Sequence, residues 1–366
     1  MRPGFEEIVK HFRFDGDFIE ASPYGFGHIN DTYAGHFRRA NGVIHRYVLQ
    51  RINHDVFQNP EKLMQNVERV TSHLRKKIIA AGGDPDRETL NLIPTVDGKT
   101  FYRTQDGSYW RAYVFIEGAQ TYEAVENLDH VYNASKAFGK FQKLVSDFPP
   151  GQLYETIPNF HHTTKRFEAF IEAVERDVKN RAQSVRAEVE FVEKRADDTS
   201  VLLDLLDQGK LPERVAHNDT KFNNVMIDSE TGEGICVVDL DTVMPGLSLY
   251  DFGDSVRSGT NPAAEDERNL SKVCIDLEIF DCFAHGYLDA ARDFSTPTEV
   301  DYLAFSARLM TFECGIRFLT DHLNGDTYFK IHRENHNLDR CRTQFKMVED
   351  MEERFDQMER IVEKYR

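Results

Sequence analysis

The 366-residue chain carries 62 acidic against 45 basic side chains, a formal net charge of −17, with 40% hydrophobic and 29% charged residues. That acid surplus excludes nucleic acid or an anionic membrane surface as the main partner, because both need clustered Lys and Arg. No apolar run approaches the ~20 residues of a membrane helix, and the opening Met1-Arg2-Pro3-Gly4 lacks the apolar segment of a signal peptide. Cys236, Cys274, Cys282, Cys314 and Cys341 are odd in number and form no CxxC pair. They read as reduced thiols of a cytoplasmic protein.

The first third reads as strands around one helix. Tyr24-Gly25-Phe26-Gly27-His28 is a glycine turn running into a β-prone segment, and Arg46 to Arg51 is a second short strand. Leu63, Val67, Val70, Leu74 and Ile78 recur at helical spacing from Glu61 to Ala80, and Gly82-Gly83-Asp84-Pro85 stops that helix. Thr100 to Arg103 and Tyr109 to Ile116 form a predicted hairpin around Asp106-Gly107. The remainder is mainly helical, with helices expected over 133–145, 166–178, 269–294, 300–323 and 343–365. Within it, Gly234 to Asp241 is an apolar strand ending in acids. The expectation is an α+β chain in two lobes: a small β-rich lobe, 1–116, covering a nucleotide, and a larger mainly helical lobe, 117–366. The cleft between them is the natural ligand site.

The chemistry concentrates in His217-Asn218-Asp219-Thr220-Lys221-Phe222-Asn223-Asn224 and Val238-Asp239-Leu240-Asp241. Phosphoryl transfer needs a carboxylate to take the acceptor's proton, and oxygen ligands to hold magnesium against the phosphates. His-x-Asp with an Asn five residues after the Asp matches the kinase catalytic loop. Asp219 is then the base, and Asn224 and Asp239 are the metal ligands. Lys221 is placed to offset charge on the transferring group. Asp251-Phe252-Gly253 imitates the kinase metal-binding triplet, but a Pro245-Gly246 turn precedes it. Asp251 reads instead as an acid bracing the loop, while the roles of Asp241 and Asp254 stay open.

The nucleotide side is less regular. Gly25 and Gly27 would let backbone amides approach phosphates. The strand position where kinases carry a lysine holds Gln50. Arg51 is adjacent but faces the other side. Glu68 is the candidate partner on the 61–80 helix, and adenine is expected against Phe115 to Gly118, beside Glu117. The bland readings are turn-capping for His28, a structural ion pair for Arg317, and core packing for Tyr328.

With these residues in view, the chain resembles the aminoglycoside phosphotransferase/choline kinase superfamily, which shares the protein-kinase fold. The longer match resembles its N-acetylhexosamine 1-kinases. It rests on Pro23 to Asn30, Ala216 to Asn224, Asp239 to Arg257, Glu313-Cys314-Gly315-Ile316-Arg317-Phe318-Leu319 and Gly325 to Phe329. That resemblance implies ATP- and Mg2+-dependent phosphorylation of the anomeric hydroxyl of GlcNAc or GalNAc. It adds His28, Asp219, Arg317 and Tyr328 as sugar contacts. Partners would be the sugar and ATP alone, with a monomer expected. Two rivals remain: a kinase of an amino alcohol or aminoglycoside-like acceptor, and a nucleotide-binding pseudokinase, for which Gln50 is the support.

Overall fold

Alternating side chains build the N-terminal sheet, and the two faces find different partners. The computed structural model describes residues 4–25, 29–122 and 127–366. A short helix α1 (Phe5–Val9) precedes β1 (Asp17–Pro23), β2 (Asp31–Arg38) and β3 (Ile44–Ile52). Helix α2 (Pro60–Ala80) follows, then β4 (Tyr102–Arg103) and β5 (Tyr109–Val114). The antiparallel order is β1-β2-β3-β5-β4. Tyr47, Leu49, Trp110 and Ala112 bury one face against Ile8, Val9 and Phe12. The opposite face, with Ile52 and Tyr113, joins the apolar stripe Leu63, Met64, Val67, Val70 and Leu74 of α2. Asn59 caps α2 by accepting from Lys62 N at 3.0 Å.

The larger lobe begins with β6 (Ala119–Gln120), α3 (Leu128–Val145), α4 (Thr163–Arg176), α5 (Arg186–Glu193) and α6 (Val201–Asp207). Four short strands follow: β7 (Arg214–Ala216), β8 (Val225–Asp228), β9 (Gly234–Val237) and β10 (Met244–Gly246). The chain ends in α7 (Ser248–Gly259), α8 (Leu277–Ala291), α9 (Pro297–Asp301), α10 (Leu303–Asn324), α11 (His336–Glu353) and α12 (Phe355–Lys364). Buried faces of α7, α8, α10 and α11 share one core around Phe252, Phe280, Phe312 and Met347. The result is the two-lobed kinase-like fold that the sequence predicts.

Several boundaries differ from those expected. The 269–294 helix begins only at Leu277, where Asp276 caps it by accepting from Glu278 N and Ile279 N. The 343–365 helix is two helices meeting at Arg354, and the first starts earlier, at His336. Its Phe345, Val348 and Met351 pack into the same core as α10. Strand β1 was not anticipated, because its residues are mostly exposed and lack a clean alternation. All five cysteines are free, and no described helix is long and apolar enough to cross a membrane.

Candidate active site

The loop 217–224 is held in place from below. Strand β7 delivers it, pairing with β10 through Ala216 and Met244. The Asp251 carboxylate accepts His217 N and Asn218 N, both at 2.8 Å. Gln142 adds a third bond to it. Asp251 is 1% exposed, so it acts from inside the lobe, bracing the loop as expected. Gly253 completes the kinase-like triplet for a packing reason: a Cβ there would lie 2.4 Å from the Ser306 carbonyl oxygen of α10. Asp254 accepts Thr220 N at 3.1 Å and pairs with Arg257 at 2.8 Å, so it too holds the loop. Asn218 adopts φ +65°, a costly left-handed conformation for a residue with a Cβ. Its side chain anchors it, donating to the Ala216 and Thr242 carbonyls.

The hairpin of β8 and β9 returns the chain to this loop. Val238 N donates to the Asn224 carbonyl at 2.9 Å, and His217 Nε2 lies 2.9 Å from the Val238 carbonyl. Asp219, Lys221, Asn224 and Asp239 thereby line one cavity of about 560 Å³ between the lobes. Lys221 Nζ is 3.1 Å from Asp219 Oδ2. Burial works against the lysine's charge, but Asp219 foremost, with Asp239 and Asp254, holds its pKa above the ordinary value. Asn224 donates through Nδ2 to the Asp219 carbonyl at 2.7 Å, leaving its Oδ1 for a ligand. Asp239 has φ +58° and opens onto the cavity. Protein still surrounds it deeply enough that burial, then the charges of Asp241 and Asp219, push its carboxyl up to about 6.

The nucleotide side departs from expectation in an informative way. Thr32, Gln50 and Arg111 are register partners across β2, β3 and β5, and all three line the cavity. Gln50 Oε1 accepts from Arg111 Nε at 2.8 Å and Nη2 at 2.6 Å. The small lobe does therefore hold a buried cation, on β5 instead of β3. Sequence reasoning missed it because the register that puts Arg111 opposite Gln50 is a tertiary fact. Arg51 faces the other way, exposed, in a pair with Asp31. Glu68 is exposed and does not line the cavity, so it is not the partner of Gln50. The α2 side chain that meets Arg111 is Met64, one turn earlier. Gly25 lines the cavity at φ +77°, a conformation that favours glycine. Gly27 and His28 lie outside the described residues. Phe115 and Ile116 line the cavity, whereas the Glu117 carboxylate turns outward to Arg46, at 3.0 Å from its Nε.

Arg317 and Tyr328 sit apart from this cavity, in the helical lobe. The Arg317 guanidinium lies 5.0 Å from the Phe160 ring and 5.7 Å from the Phe329 ring. Among the described residues no carboxylate comes within 4 Å of it, so the structural ion pair weighed as the alternative is absent. Glu313, one turn away on α10, is already committed to His161 Nδ1 at 2.7 Å and Thr163 Oγ1 at 2.6 Å. His161 Nε2 in turn lies 3.0 Å from the Asn218 carbonyl, linking this region to the loop. Arg166 is near enough for the charge of Arg317 to help burial lower its pKa. Tyr328 is 62% exposed, on a loop whose Thr327, Tyr328 and Phe329 amides all donate to Asp321.

Among the described residues no group of three or more His, Cys, Asp or Glu is arranged to hold a metal. Asn224 and Asp239 nevertheless supply oxygen donors, as a magnesium ion completed by phosphate oxygens requires. Several solved kinases share the fold over nearly the full length of this chain. A microcompartment-associated aminopropanol kinase superposes with a TM-score of 0.63 at 14% identity, covering 97% of each chain. An aminoglycoside phosphotransferase from Alicyclobacillus acidocaldarius gives 0.63 at 11% identity, covering 98% of this chain and 96% of its own. The amicoumacin kinase hAmiN, in complex with AMP-PNP, Ca2+ and Ami, gives 0.59 at 11% identity, covering 93% and 92%. At the sequence level the family described as phosphotransferase enzyme family (APH) matches residues 20–277, and with the loop, the returning Asp239 and the two-lobed cleft in place, the chain belongs to that family.

Proposed function

We propose that this protein is an ATP-dependent kinase of a small-molecule hydroxyl, and that its acceptor is the anomeric hydroxyl of an N-acetylhexosamine, GlcNAc or GalNAc, giving the α-1-phosphate. Adenine would lie against Phe115 and Ile116, with the phosphates toward Gly25. Asn224 and Asp239 would hold Mg2+, which when bound neutralises phosphate charge. Asp219 orients the acceptor hydroxyl and takes its proton, while Lys221 offsets charge on the group in flight. An anomeric hydroxyl is more acidic than an ordinary alcohol, so placement counts for more than basicity.

The observation that carries the acceptor assignment is Arg317, a cation flanked by Phe160 and Phe329 with no carboxylate within 4 Å among the described residues. A cationic acceptor gains nothing from such a neighbour, whereas sugar hydroxyl and acetamide oxygens accept its hydrogen bonds and stack on the rings. An amino-alcohol acceptor is the second reading, favoured by the likeness to the aminopropanol kinase. A pseudokinase has less support now that Arg111 lies opposite Gln50. The test is ADP release with ATP and a panel of GlcNAc, GalNAc, aminopropanol, choline and an aminoglycoside, followed by phosphorus NMR of the product. An anomeric phosphate on either hexosamine supports the assignment. Preferred turnover of a cationic acceptor overturns it.

A further inference from the structure

Kinases pair a β3 lysine with a glutamate on the next helix. Here those two positions hold Gln50 and the exposed Glu68, and the charges have moved. Arg111, 2% exposed, forks onto Gln50 and gives Nη1 to Asp241. Gln50 is itself fixed, donating from Nε2 to Thr32 Oγ1 at 2.8 Å. The other oxygen of Asp241 accepts from Asn30 Nδ2 at 2.7 Å, and Asn30 Oδ1 accepts Asn53 N at 3.0 Å. Both oxygens of one carboxylate in the large lobe are thus held by side chains of the small lobe. That carboxylate lies two residues beyond Asp239, on the same turn.

We propose that Arg111 is the positioning residue of the nucleotide side: it takes over from β5 the task of the β3 lysine and, with Asn30, latches Asp241 so that the Asp239 turn and the sheet above the phosphates keep one spacing. The inference rests on the kinase reading for its nucleotide, but not on which acceptor is used. An arginine that merely filled the core would affect stability and leave ligand constants alone. A latch across the cleft instead sets the nucleotide constant and spares the acceptor's.

The test measures binding of a non-hydrolysable ATP analogue with magnesium by calorimetry, beside KM for ATP and for the acceptor. Arg111→Gln is expected to weaken the analogue by at least about tenfold, below the loss of about 30-fold or more found when one partner of a buried charge pair at an interface is truncated, with acceptor KM within about twofold. The double variant Gln50→Lys/Arg111→Gln returns the cation to β3 on the same face, and should recover affinity to within about threefold of the parent. Unchanged affinity in a folded Arg111→Gln, or a double variant no better than the single one, overturns the latch. Should Arg111→Gln fail to fold, Asn30→Ala decides. It removes the uncharged donor from one oxygen of the Asp241 carboxylate, and a loss of about threefold or more for the analogue supports the proposal, while none overturns it. Failure of the parent protein to bind the analogue would strike down the kinase reading itself.

Discussion

Arg111 and Arg317 both reach inward from regular elements, yet their surroundings are opposite in kind. Arg111 spends its donors on Gln50 and Asp241, inside an ion pair with both partners 2% exposed. Arg317 meets two aromatic rings and the Tyr328 hydroxyl, and Glu313, whose charge also acts on it, is hydrogen-bonded elsewhere. A buried charge with a fixed partner is part of the framework, and breaking the pair strands the other charge. A guanidinium left without a carboxylate keeps its hydrogen-bonding capacity for a ligand. The small-lobe side of the cleft is thus pinned by a buried ion pair, while the Arg317 guanidinium is not committed to a carboxylate within 4 Å among the described residues.

The largest expected effect lies between these two regions, at the loop they flank. Asp219→Asn should lower kcat by about 10³-fold, within the range for loss of a general base, with ATP and acceptor binding nearly intact. Single-turnover kinetics would show it, and a loss under about tenfold, roughly 1.4 kcal/mol of barrier, would remove Asp219 as the base. Next comes Arg317, the proposed acceptor contact. Arg317→Ala should raise acceptor KM by about tenfold or more, the value of one charged hydrogen bond, with ATP KM and melting temperature close to the parent's. A large drop in melting temperature without a KM change would make Arg317 a purely structural residue, and erase the contrast.

A third expectation concerns the acids. Folded Asp239 binds its proton more tightly than the unfolded chain does, because burial and the charges of Asp241 and Asp219 oppose ionisation. Between its unfolded pKa, about 4, and its folded value the native state holds the extra proton, so stability falls as pH rises through that window. Without divalent cation, Asp239→Asn should therefore melt above the parent at pH 7, and the difference should vanish below about pH 4. Melting curves across pH would check the sign. Smallest of all, Glu68→Ala and Arg51→Ala should leave ATP KM within about twofold, since surface charges of this kind contribute about 0–1 kcal/mol. A clear loss at Glu68 would restore the helix-borne partner that Asp241 replaces here.

The catalytic loop was legible because its chemistry is local. His217 to Asn224 stand at fixed spacing, and a short β8–β9 hairpin is enough to bring Asp239 back. Helix α2 was legible for the same reason, through the apolar period of Leu63 to Ile78, and the two lobes were legible through the change from a strand-like first third to a mainly helical remainder. Gly27 and His28 fall outside the described residues, so their expected roles remain proposals. The C-terminal helix was misjudged because apolar spacing continues across Arg354, where the chain nonetheless breaks into two helices. Glu68 was misplaced because a helix face is set by what packs beneath it, and the stripe through Met64 turns Glu68 to solvent.

Spacing along the chain determined the kinase-like loop, the candidates for its base and metal ligands, and the departure at Gln50. Only the tertiary structure decided where the missing cation went. Strand register brought Arg111 opposite Gln50, and the closing of the cleft brought Asp241 and Asn30 to meet it. It likewise decided that Arg317 has no carboxylate within reach among the described residues, because Glu313 turns to His161 and Thr163. The physical reason is common to both: whether a charge is spent or available depends on what stands within a few ångströms, and for residues on different elements that distance is set by how the elements pack, not by sequence order.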